Sequence, residues 1–66
     1  MTDESELTAR IGEVARRELA AHGITRYDHV AATTDAEMLS IHGVGPKAIR
    51  ILREELAARG DSFEAS

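Results

Sequence analysis

The run Gly43-Val44-Gly45-Pro46-Lys47 constrains this chain more than any other feature. Two glycines around a branched residue make a sharp backbone reversal. The proline that follows fits the first turn of a helix, where its fixed φ is already correct and its missing N–H is not needed. Ala48, Ile49, Ile51, Leu52 and Leu56 then fall at helical spacing, and Gly60 supplies the stop. Upstream, Thr34 and Glu37 have the reciprocal spacing of a capping box and open a short helix through Met38, Leu39 and Ile41. Two helices therefore meet at one tight turn. That turn either reverses the chain and nothing more, or leaves backbone amides open to a ligand.

The remaining segments also read as short helices. Leu7, Ile11, Val14, Ala15 and Leu19 recur at intervals of three and four, and Gly23 follows as a left-handed stop. This predicts a helix over Glu13 to Ala21, with continuation back to Ser5 through the weak point Gly12 as the alternative, and with Ser5 or Asp3 as cap. Thr25, with Asp28 three residues on, predicts the cap of a further short helix carrying Tyr27, Val30 and Ala31. The organisation expected is a flexible lead-in over 1–6, one helical domain over 7–60 and a polar tail over 61–66 that contains Phe63.

Composition sets the class. Sixty-six residues lie near the lower limit for a core without staples, and the absence of cysteine excludes disulfides and thiolate metal sites. The hydrophobic share of 42% and charged share of 30% suit a globular domain. No apolar run is long enough to span a membrane, and no charged-then-apolar export signal opens the sequence, so a cytoplasmic monomer is the expectation. Tyr27 and Phe63 are the sole aromatics, too few for a base-stacking platform. The net charge of −4 is uneven: Thr8 to Gly60 holds eight basic residues against seven acidic ones, and the excess acid sits at the two ends. A local basic patch is compatible with that balance.

Catalysis is the class least supported. His22, His29 and His42 lack metal-ligand spacing, Glu54 and Glu55 share a helix surface with no pocket around them, and no nucleophile stands beside a base. No enzyme activity, metal or cofactor is expected.

An internal echo aligns Ile11–Leu19 with Val44–Leu52, matching Gly12 to Gly45, Ala15 to Ala48, Arg17 to Arg50 and Leu19 to Leu52. Each unit reads as a glycine turn followed by a helix whose small alanine admits a close neighbour.

The residues Ile41, Gly43, Val44, Gly45 and Ala48 fill every fixed position of the helix-hairpin-helix pattern, which this segment resembles. A wider resemblance, over Ile11 to Phe63, is to the C-terminal domain of the bacterial RNA polymerase alpha subunit and its small stand-alone relatives. It rests on "RRELAAHGIT", "RYDHVAAT", "TDAEMLSI", "HGVGPKAIRILREEL" and "ARGDSF". The resemblance implies an all-α, SAM-domain-like bundle of four to five short helices, with one helix-hairpin-helix and a degenerate second copy around Gly12. It also implies weak, non-specific binding of double-stranded DNA across the minor groove, through hairpin amides and a lysine.

Carried onto this chain, the hairpin glycine and lysine are Gly45 and Lys47. The serine that follows the lysine in the polymerase domain is Ala48, the arginine of the first helix falls near Val14, and an asparagine one turn on falls near Arg17. The phosphate-holding half is thus kept and the groove-reading half altered. The expected DNA-contacting set is Gly43, Val44, Gly45, Lys47, Arg50 and Arg17, with Val44 turned inward as an anchor. The plainer expectation for Arg50 is an ion pair with Glu54, one turn on. The alternative function is docking of the same fold on a transcription or DNA-repair protein.

Overall fold

Gly12 decides how the folded chain begins. The computed structural model describes residues 5–64. Thr8 caps a 3-10 turn, Ala9–Ile11, by accepting the Arg10 N–H at 3.2 Å. Gly12 then takes φ +97°, outside the range of a helical residue, before helix α1, Glu13–Ala21. The helix therefore does not run back to Ser5. Ser5 instead accepts the Leu7 N–H in a local turn, and Asp3, the other expected cap, lies outside the described residues.

Helix α1 closes in a Schellman arrangement: Gly23 N–H donates to Ala20 O at 2.9 Å and Ile24 N–H to Leu19 O at 2.8 Å, with Leu19 and Ile24 both buried. Helix α2, Tyr27–Ala31, starts one residue later than the Thr25 spacing predicts. Its N-cap position is Arg26, without a side-chain cap, and the Thr25 N–H donates to His29 Nδ1 at 3.3 Å rather than to Asp28. Helix α3, Asp35–Leu39, carries the full capping box, with Glu37 N–H on Thr34 Oγ1 and Thr34 N–H on Glu37 Oε1, both at 3.0 Å. Helix α4, Pro46–Ala58, is the longest element and ends in a second Schellman closure, Gly60 N–H to Ala57 O and Asp61 N–H to Leu56 O.

All regular structure among the described residues is helical. Helix α4 is the element the others share: the 3-10 turn, α2 and α3 all pack on it. Its Leu52 and Leu56 lie fully buried with Leu19, Val30 and Met38, so each helix contributes to one continuous core. Tyr27 ties the N-terminal segment and the end of α4 to α2. Its hydroxyl accepts the Thr8 N–H at 2.9 Å, and the Arg59 guanidinium lies 3.8 Å from its ring centroid. The Cα radius of gyration, 10.6 Å, is close to the roughly 11 Å of a folded chain this long.

Both flanks are tied to this body. Glu6 N–H donates to Thr25 O at 2.6 Å, and Glu64 N–H to Thr33 O at 2.8 Å. Phe63 folds back and packs half-buried on the core. The two halves of the internal echo also bury alike: Ala15 and Ala48, and Leu19 and Leu52, all face the core, while Arg17 and Arg50 are exposed.

Candidate functional site

The connection between α3 and α4 is a four-residue turn closed by Val44 N–H on Ile41 O at 3.1 Å. Gly43, at its third position, has φ +91°, which L side chains rarely adopt. Ile41 and Val44 are buried and anchor the turn, while His42 and Gly43 are exposed between them.

The two glycines do different work. A Cβ on Gly43 would stand 2.9 Å from Val14 Cγ1 and 3.1 Å from Glu18 Cγ, so the glycine lets the turn lie directly against α1. Gly45 has extended backbone, φ −105° and ψ 180°, and a Cβ there would meet nothing within 4 Å. Open space where a side chain would go is therefore found at Gly45, not at Gly43. Gly43 clears the way for α1.

Gly45 is also the N-cap of α4 and carries no side chain to satisfy the first amides of that helix. Among the described residues, the N–H groups of Gly43, Gly45, Lys47 and Ala48 donate to no protein acceptor. They surround the positive end of a helix of 13 residues. Val44 differs, since its own N–H closes the turn and its side chain is buried.

The charges sort themselves around this turn. Five of the eight basic residues are engaged by carboxylates: Arg10 by Glu54 and Glu55, Arg17 by Glu13, Arg26 by Glu6 and Asp28, Arg53 by Asp35, and Arg59 by Glu55. Arg16 donates to Ser5 O at 3.0 Å. Lys47 and Arg50 are exposed, three residues apart on α4, and form no ion pair with a described residue. The expected Arg50–Glu54 pair does not form, because Glu54 Oε1 is taken by Arg10 Nη2 at 3.4 Å from across the fold.

Of the residues expected to act together, Gly45, Lys47 and Arg50 share the start of α4. Arg17 lies on α1, the helix that touches the turn, and its guanidinium is held by Glu13 at 3.1 Å. Val14, where the first-helix arginine would fall, is 54% exposed beside Gly43. Sequence reasoning passed over Glu18, whose side-chain stem packs on the turn. Its signal was available: Val14, Ala15, Ala21 and His22, its neighbours at three and four residues, include no lysine or arginine.

No helix among the described residues is long and apolar enough to cross a membrane, and no three His, Cys, Asp or Glu side chains among them gather as metal ligands. The chain matches no protein-family profile, no curated protein and no solved structure.

Proposed function

We propose that this chain is a small non-enzymatic DNA-binding module. In this reading α3, the turn and α4 form a helix-hairpin-helix within a SAM-domain-like bundle, and the partner is the phosphate backbone of double-stranded DNA, approached from the minor groove. One coincidence carries the proposal. The unsatisfied amides of Gly43, Gly45, Lys47 and Ala48 lie at the same end of α4 as Lys47 and Arg50, the two basic side chains without a described partner. Amides at a helix start hold phosphate through short hydrogen bonds and the helix dipole, and flexible cations add charge.

Two or three phosphate contacts give weak binding that falls roughly 10- to 40-fold between 50 and 200 mM salt. Base readout is not part of the reading, because Val14 cannot donate to a base edge and Arg17 is engaged by Glu13. An HSQC titration with a short duplex at low salt tests it. Shifts centred on Gly43, Gly45, Lys47 and Ala48 are expected, and an unperturbed turn at millimolar duplex would end the proposal.

A second reading, docking on a transcription or repair protein, is favoured by the exposure of Val14 (54%) and Leu39 (47%), one beside Gly43 and the other at the end of α3. It expects a protein partner whose capture survives nuclease treatment, with shifts centred on Val14 and Leu39.

A further inference from the structure

Glu18 is the carboxylate that the fold brings to the turn. Its Cγ would lie 3.1 Å from a Cβ on Gly43, so its aliphatic stem rests on the glycine. The side chain is half-buried and forms no ion pair or hydrogen bond with a described residue. The other carboxylates on the helices are occupied: Glu13, Asp28, Asp35, Glu54 and Glu55 hold arginines, and Glu37 completes a capping box. An acid whose stem rests on Gly43 and whose charge no described residue meets acts on whatever the turn binds.

Resting on the phosphate-binding reading above, we infer that Glu18 limits the affinity of the turn for phosphate, as a fixed negative charge built into the rim of the site. It opposes an incoming phosphate. At the separations a few residues allow, and with water on one side, like-charge repulsion of this kind changes an equilibrium by a small factor rather than abolishing it. The consequence is a module tuned for weak, reversible contact. The glycine at 43 is part of the device, since a Cβ there would crowd Val14 Cγ1 and the Glu18 stem.

The test compares three proteins for binding to a fluorescein-labelled 12-base-pair duplex by anisotropy in 20 mM salt: the unmodified chain, Glu18→Gln and Glu54→Gln. Both substitutions remove one negative charge and keep the side-chain shape. Glu54 lies two turns further along α4, paired with Arg10. Glu18→Gln is expected to tighten binding about three- to tenfold, and Glu54→Gln by less than about twofold. Unchanged melting temperature in Glu18→Gln keeps packing out of the result. Equal gains in the two variants would reduce the effect to net charge and overturn the inference, as would no gain in Glu18→Gln. Those failures leave phosphate binding standing. Absence of binding by all three proteins overturns both.

Discussion

Replacing Gly45 by serine separates what the turn does for the fold from what it does for a ligand. Gly45 is the N-cap of α4 in extended conformation, with open space where a Cβ would go, so a serine enters without strain. Its hydroxyl then accepts from the Lys47 or Ala48 N–H, the ordinary work of an N-cap. Two gains add. Serine in place of glycine at an N-cap contributes a few tenths of a kcal/mol, and removing a glycine from the unfolded chain about 0.4–1 kcal/mol more. The sum, about 0.5–1.5 kcal/mol, raises Tm by roughly 3–10 °C in a domain this small.

The same hydroxyl occupies an amide that the proposal reserves for phosphate. A charge-assisted hydrogen bond of that kind is worth about 1.5–3 kcal/mol, so DNA affinity should fall tenfold or more. Stability and binding thus move in opposite directions, with no change in net charge. Thermal melting by circular dichroism and duplex anisotropy at low salt read the two. A raised Tm with undiminished affinity would show that the amides hold no phosphate. A lowered Tm would refute the N-cap assignment from which the reasoning starts.

Three further outcomes follow from the same region. Gly43→Ala combines a left-handed φ with a 2.9 Å collision on Val14 Cγ1 and should cost about 2–3 kcal/mol in urea unfolding, with partial recovery in the Gly43→Ala, Val14→Ala double variant. Ala48→Leu forces a larger side chain into a position 6% exposed beneath the turn and should cost about 1–3 kcal/mol; an unchanged Tm would count against close packing there. Lys47→Ala should lower the slope of log affinity against log salt by about 0.9, while Arg53→Ala, whose charge is already met by Asp35 at 3.1 Å, should leave it unaltered.

What the sequence discloses here is mostly local. Pro46 at a helix start, the Thr34–Glu37 box and the stops at Gly23 and Gly60 are legible because each is settled within a few residues by backbone sterics or one hydrogen bond. Thr25 misleads for the complementary reason. Its spacing to Asp28 suits a cap, but the His29 ring claims its N–H. Arg50 misleads through distance in sequence, since Arg10, 44 residues away from Glu54, wins that carboxylate. The different duties of Gly43 and Gly45 were equally hidden. Both are glycines in one turn, and only the approach of α1 distinguishes them.

The two flanking hydrogen bonds, Glu6 to Thr25 and Glu64 to Thr33, pin both ends of the described chain to residues only eight apart. Seven residues lie between those anchors, the five of α2 and one on either side, so both flanks are tied at the two ends of one short helix. A domain whose two flanks are held at one short helix behaves as a bead on a loop. It can be set into a longer polypeptide, strung in series or closed on itself by a linker of a few residues, with little loop entropy lost. Copies joined this way would add up weak contacts by raising local concentration, which suits the light phosphate binding proposed above.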